Sequence, residues 1–158
     1  MFEVSEATRD EIDQLVDLEI ALFAEDAGRH DPFADTTWPS REGRKDFEDL
    51  MGSPGCIVLA ARGSDEVVGF LAGYTQKSSP TRTPVEYAVL RSMYVCQSAR
   101  RSGAATMLAE RFLGWARDRG CAEAHVDHYA ANEGAAALYE RCGFIARSTS
   151  RAVDLSPT

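Results

Sequence analysis

Between the strand-like run VEYAVLRSMYV (85–95) and an amphipathic stretch opening near Gly103 lies the segment CQSARRSGAAT. A strand that feeds a short loop and then a helix start is a standard anion-binding arrangement. The first-turn N–H groups lack intrahelical partners, and the helix dipole places partial positive charge there. Gly103, Ala104 and Ala105 are small enough for a backbone to approach a pyrophosphate, and Arg100 and Arg101 add full positive charge beside them. The sequence departs from G-x-x-x-x-G-K-[ST] and from G-x-G-x-x-G, so it is neither a P-loop nor a dinucleotide fingerprint. Taken alone, the segment is equally compatible with a plain helix start carrying exposed arginines.

The rest of the chain places this loop in a mixed α/β domain. The run FEVSEA suits a short strand, and apolar residues from Ile12 to Phe23 recur at helical spacing over about 9–25. Thr8 and Glu11 form the capping-box pair for that helix. Residues 26–39 contain two prolines, a glycine and three aspartates and read as a loop before a second helix over 40–51. CIVLAAR and VVGFLAGYTQ, joined by G-S-D-E, predict an antiparallel hairpin over 56–76, followed by the polar connector KSSPTRTP. Further helices are expected over 103–119 and 132–142, a strand over 122–129, and one or two last strands over 144–155. The order β-α-α-β-β-β-α-β-α-β gives one domain over 1–158, with a mostly antiparallel sheet and one βαβ crossover spanning 88–128.

Composition narrows the function classes. Seventeen basic against twenty-five acidic residues give a net charge of −8, which argues against nucleic acid as a partner. No apolar run reaches bilayer-spanning length and no signal-peptide pattern opens the chain, so a cytoplasmic protein without membrane association is expected. Cys56, Cys96, Cys121 and Cys142 form no C-x-x-C pair and read as reduced thiols. His125 and His128 lie three apart on a predicted strand, on opposite faces, so no metal site is expected.

RRSGAA (100–105) matches the R/Q-x-x-G-x-G/A signature of the Gcn5-related N-acetyltransferase superfamily, with YV at 94–95 and ML at 107–108 flanking it as in that family. NEGAAALYERCGF (132–144) resembles the family's second signature. Together the motifs cover about residues 90–145. One departure is Arg101, where the family usually has glycine, so the turn must accept a bulky side chain.

The resemblance implies the acyl-CoA N-acyltransferase fold, a central sheet with a splayed parallel pair and about four flanking helices. It implies acetyl-CoA as cosubstrate, its pyrophosphate on the amides of Arg101, Ser102, Gly103, Ala104, Ala105 and Thr106 beside Arg100. The pantetheine arm would pair with backbone at Met93, Tyr94 and Val95, and the acyl carbonyl would meet an N–H at a β-bulge near Met93 or Tyr94. Asn132, Ala135 and Tyr139 would share one helix face toward the cofactor. Tyr139 would donate its phenolic proton to the leaving thiolate, and Asn132 would cap its helix and touch the pantetheine arm.

The base is left open. An amine with a pKa of about 10 must lose a proton before attacking a thioester. Many family members supply a Glu on the strand before the loop, where this chain has Arg91 and Ser92. Glu86 is roughly 20 Å away along an extended strand. Asp127 and His128, at the end of the next strand, are the candidates. The acceptor is expected over 26–38 and 76–84, where Asp26, Asp31, Asp35, Phe33 and Trp38 offer an aromatic-bounded site for an ammonium. The expected activity is direct acetyl transfer to a primary amine of a small molecule or peptide. The alternatives are a protein N-terminal or lysine acetyltransferase and a non-catalytic acyl-CoA-binding regulatory module. By analogy with the family, a homodimer is also expected.

Overall fold

A computed structural model of the chain describes residues 2–157. Strand β1 (Phe2–Glu6) leads through a 3-10 turn (Arg9–Glu11) into helix α1 (Ile12–Leu22). The capping box forms as expected, with the Thr8 N–H donating to Glu11 Oε1 at 2.9 Å. Helix α1 does not end in a loop. It widens into a π-helical turn (Phe23–Ala27) and runs on into the short α2 (Gly28–His30). Gly28 permits this continuation: a Cβ there would lie 3.0 Å from both the Phe23 carbonyl oxygen and the Thr36 side chain. The expected loop over 26–39 therefore shrinks to 31–37.

Helix α3 (Trp38–Met51) starts two residues before the expected boundary, because Pro39 sits in its first turn, where a missing N–H costs nothing. The hairpin of β2 (Cys56–Gly63) and β3 (Glu66–Lys77) turns through Ser64 in left-handed conformation. Strand β4 (Glu86–Val95), helix α4 (Ala104–Asp118), strand β5 (Glu123–Val126) and helix α5 (Glu133–Arg141) complete the domain. The sheet order is β1-β2-β3-β4-β5, every pair antiparallel except β4–β5, which is the parallel pair of the expected crossover.

Alternation along the strands sorts the core to the two faces of the sheet. Leu59, Leu71 and Leu90 join Leu108 and Phe112 of α4 on one face. Val58, Phe70 and Tyr94 meet Leu15 of α1 and Phe47 of α3 on the other. Phe112 is fully buried, and its ring lies so close to β3 that a Cβ on Gly73 would approach it to 2.5 Å. Glycine at 73 thus sets how near α4 sits to the sheet.

The last strands expected over 144–155 do not form. Ile145, Val153 and Leu155 are 79%, 78% and 87% exposed, and residues 144–155 belong to no strand. The pattern in that stretch is strand-like, but among the described residues no strand pairs with it.

Candidate functional site

Strands β4 and β5 pair only over Tyr87–Leu90 and Glu123–Val126. The register between β3 and β4 jumps at the same point: Gly73 opposes Leu90 and Ala72 opposes Ser92, leaving Arg91 as an extra, bulged residue. Beyond the bulge β4 continues to Val95 with no strand of the described residues paired on its β5 side. The Cys96 N–H donates to Val68 O at 2.8 Å across the β3 side. By the alternation of an antiparallel ladder, the N–H groups of Met93 and Val95 then point into the open gap. The amide of Tyr94 points the other way, toward β3. The bulge itself lies two to three residues before the Met93–Tyr94 position expected for it.

The gap leads to the loop before α4. After a 3-10 turn (Gln97–Ala99), Arg101 has φ 62° and Gly103 has φ 91°. The bulky residue at 101 is therefore accommodated in left-handed backbone, the conformation for which glycine is ordinarily required. A Cβ at Gly103 would touch nothing, so the space above it is open. The first helical bond of α4 is Met107 N–H to Gly103 O at 3.0 Å. This leaves the amides of Ala105 and Thr106 free, while Ala104 N–H has only a long 3.4 Å contact with Ser102 Oγ. Ser102 Oγ in turn donates to the Ala99 carbonyl. A cleft of about 120 Å³ lies against these residues, walled also by Leu138 and Arg141 of α5. Arg141 was not among the sequence candidates; its spacing of three from Leu138 on the same helix was the available signal.

Arg100 lines this cleft, yet its charge is directed elsewhere. Its Nη2 lies 2.6 Å from Glu25 Oε2, its Nε donates to Val95 O at 3.0 Å, and its guanidinium stacks 5.3 Å from the Tyr94 ring centroid. Tyr94 donates its phenolic proton to Glu25 Oε1 at 2.8 Å. Burial alone would raise the Glu25 carboxyl, but the bonds from Arg100 and Tyr94 hold it below the usual carboxylate range. Burial, with the hydrogen bond to Glu25, pushes the Tyr94 phenol up to about 12. Arg101 has no ion pair among the described residues.

The π-helical turn also reaches the second motif. Asn132 caps α5 by accepting from Ala135 N–H at 3.0 Å, while its Nδ2 donates to Asp26 Oδ1 at 3.1 Å. Tyr139, on the same helix face as Asn132 and half-buried Ala135, is 9% exposed. Its ring stacks on His128 at 5.9 Å and meets Phe144 edge-on at 5.6 Å. Burial first, then the nearby Asp26 carboxylate, pushes its phenol up to about 12. Asp127 and His128 are both exposed at the end of β5, with His128 Nδ1 3.0 Å from Tyr129 O. His125 stacks on Tyr87 instead, and among the described residues no three His, Cys, Asp or Glu groups converge as a metal site.

The loop residues proposed for an ammonium do not gather into a cage. Asp31 accepts from Phe33 N–H, and Asp35 accepts from Thr37 N–H and the Thr37 hydroxyl. Phe33 is 78% exposed, and Trp38 stacks on Phe23. Of these, Asp26 is bonded to Asn132 at the start of α5.

One buried carboxyl escaped the sequence reading. Glu19 is 2% exposed on α1, with Oε1 3.9 Å from Arg91 Nη2 at the bulge and Oε2 without any partner. Arg91 itself is held by Asp46 of α3 at 2.7 Å. Ser92 Oγ, the next residue of the bulge, is likewise buried and unpartnered. Burial pushes the Glu19 carboxyl up to about 7 against the opposing pull of Arg91, with Asp46 adding to the rise. Its signal was a carboxylate at i+7 from Ile12, inside the apolar stripe of the helix.

Comparison with known proteins shows what the chain is similar to. The family described as "Acetyltransferase (GNAT) family" matches residues 15–144. An aminoglycoside N(6')-acetyltransferase type 1 of Serratia marcescens is 30% identical over 114 residues, covering 68% of this chain and 77% of that protein. Among solved structures, a transcriptional regulator from Bacillus halodurans superposes with a TM-score of 0.78 at 20% identity, covering 98% of this chain and 100% of the other. An aminoglycoside N-acetyltransferase AAC(6')-Iy in complex with CoA superposes with a TM-score of 0.74 at 16% identity, covering 99% and 95%. At those identities the two structures speak for the fold. Among the described residues no helix is long and apolar enough to cross a membrane.

Proposed function

This chain belongs to the acetyltransferase (GNAT) family, and we propose that it is an acetyl-CoA-dependent N-acetyltransferase acting directly on a primary amine. One observation carries the reading. The opening between β4 and β5 begins at the Arg91 bulge, is lined by inward amides, and leads to a helix start with free N–H groups. An anionic cofactor with a long polar arm fits such a track. Its pyrophosphate would rest on the amides of Arg101 to Thr106, with Arg101 and Arg141 supplying charge. Its arm would pair with Met93 and Val95.

In the transfer, the amine nitrogen bonds to the thioester carbonyl carbon, the C–S bond breaks, and the amine gives up a proton. The Met93 N–H, directed into the gap, would donate to the oxyanion. Tyr139 keeps its proton throughout the neutral range, because its pKa is pushed up to about 12, and it is the donor for the departing thiolate. Three groups are candidates for the released proton. Asp127 and His128 stand at the solvent end of β5, and Glu19 lies beneath the bulge. Glu19 is favoured by its unpartnered oxygen and by a carboxyl held at about 7, near the optimum for a base working at neutral pH.

The relative from Serratia marcescens, named as an aminoglycoside N(6')-acetyltransferase, directs the first acceptor screen to cationic amino sugars, with peptide N-termini and lysines as the second class. The net charge of −8 suits a cationic acceptor. The test follows thiol release from acetyl-CoA with each acceptor class, in the wild type and in Tyr139→Phe. A rate fall of 10²-fold or more in the variant, with unchanged acetyl-CoA affinity, supports the enzyme. Acetyl-CoA binding without turnover of any amine would favour the regulatory module instead.

A further inference from the structure

We infer that the acceptor carries at least two amino groups, one to be acetylated and a second held as an ammonium by Asp26 and Asp31 against the rings of His30 and Tyr129. This names a substrate class for the transferase reading and rests on it.

The five loop residues expected to hold an ammonium form no cage by themselves, but two of them flank a ring from another part of the chain. His30, the last residue of α2, stacks on Tyr129 in the loop after β5, with ring centroids 5.3 Å apart. Asp26 lies one helical turn before His30, its Oδ1 3.8 Å from His30 Nε2. Asp31 follows His30 directly. Burial first, then the charges of Asp31 and Asp26, raises the Tyr129 phenol, so both carboxylates lie near that ring.

The charge there is unbalanced. Asp35, Asp46 and Asp49 pair with Arg41, Arg91 and Lys45, whereas among the described residues no Lys or Arg pairs with Asp26 or Asp31. Each of the two uses one oxygen internally: Asp26 Oδ1 accepts from Asn132 and Asp31 Oδ1 from the Phe33 N–H. The side chains of Asp26 and His30 are 25% and 19% exposed, so a cation there would be largely out of water yet reachable from it. Spare carboxylate oxygens bounded by aromatic faces suit an ammonium.

Tyr139 points to the same place independently. It is 9% exposed, and its hydroxyl has no hydrogen-bond partner among the described residues, although a buried phenol normally finds one. The Asp26 carboxylate is close enough to push that phenol up. The acidic pair thus lies beside the proposed donor to the thiolate. A lone amine bound by the two carboxylates would be held in its charged, unreactive form. A second amino group at the far end of the molecule removes that conflict.

The test compares α,ω-diamines with n-alkylamines of equal chain length as acceptors. At least one diamine is expected to exceed its monoamine roughly 30-fold in kcat/KM, the difference lying in KM. Asp26→Asn, which keeps an oxygen for Asn132, and Asp31→Asn should each bring the ratio to within about threefold. Should either fail to fold, Tyr129→Leu is read in its place. Calorimetry of the diamine on protein saturated with free CoA gives a readout without turnover. Diamine binding that the substitutions abolish, with no amine acetylated, upholds this site while the transferase reading fails. Equal use of monoamines and diamines leaves the transferase reading standing and overturns this inference, as does a wild type that neither binds nor acetylates any diamine.

Discussion

Arg100 Nη2 lies 2.6 Å from Glu25 Oε2, so the loop before α4 is tied to the π-helical turn that follows α1. Glu25 also accepts from Tyr94, which makes it the common anchor of a loop cation and a strand phenol. Asp26, the next residue, holds Asn132 at the start of α5. Two consecutive carboxylates thereby connect both signature motifs to the N-terminal third of the chain.

Replacing Glu25 with Ala should loosen that connection. The Arg100 pair is partly exposed, so solvent screening keeps its own worth to about 1 kcal/mol. Loss of the Tyr94 hydrogen bond adds about 1 kcal/mol. Chemical denaturation should report a total loss of about 2 kcal/mol, and calorimetry should report weaker acetyl-CoA binding as the loop loses its anchor.

Arg101→Gly separates backbone strain from charge. The left-handed conformation at φ 62° costs an arginine about 1–2 kcal/mol relative to glycine. The glycine variant gains unfolded-state entropy that offsets part of this. A net stabilisation of about 0.5–1 kcal/mol is expected. Acetyl-CoA affinity should fall and become less salt-dependent, because the positive charge without an ion pair at 101 is gone.

Glu19 gives the protein a pH signature. Its folded pKa of about 7 lies above the unfolded value of 4.5, so the native state holds the proton more tightly. Its contribution is fully present below the unfolded value and is lost as pH rises from 4.5 through 7. The loss amounts to about 3 kcal/mol. Glu19→Gln removes this slope, and urea titrations at pH 5 and pH 8 should differ less in the variant than in the wild type. If Glu19 also takes the amine proton, the same substitution abolishes the acidic limb of the kcat/KM profile.

The sequence made the order of elements legible because hydrophobic period and capping residues agree locally: Thr8 with Glu11, Asn132 with Ala135, and Gly143 in left-handed backbone after α5. The two motifs made the loop at 100–106 and the face of α5 legible. The partners of those motifs were not. Glu25 and Asp26 reach the site only because α1 widens into a π turn, and the close space at Gly28 that permits it is a tertiary fact. Glu19 reads as an ordinary helical acid until α3 and the Arg91 bulge close over it. At residues 144–155 the alternating pattern suggested strands, but none forms and Ile145, Val153 and Leu155 stay exposed.

The proposed acetyl-CoA site is formed by the gap between β4 and β5 and the helix start at Gly103. Calorimetric titration of acetyl-CoA into the wild type and into Gly103→Asp tests it most directly, with a nicotinamide dinucleotide as control. A carboxylate at 103 strains the left-handed turn and repels a pyrophosphate. Micromolar binding to the wild type is expected, with none to the folded variant and none of the dinucleotide to either. A wild type that ignores acetyl-CoA, or a folded Gly103→Asp that binds it equally well, would contradict it.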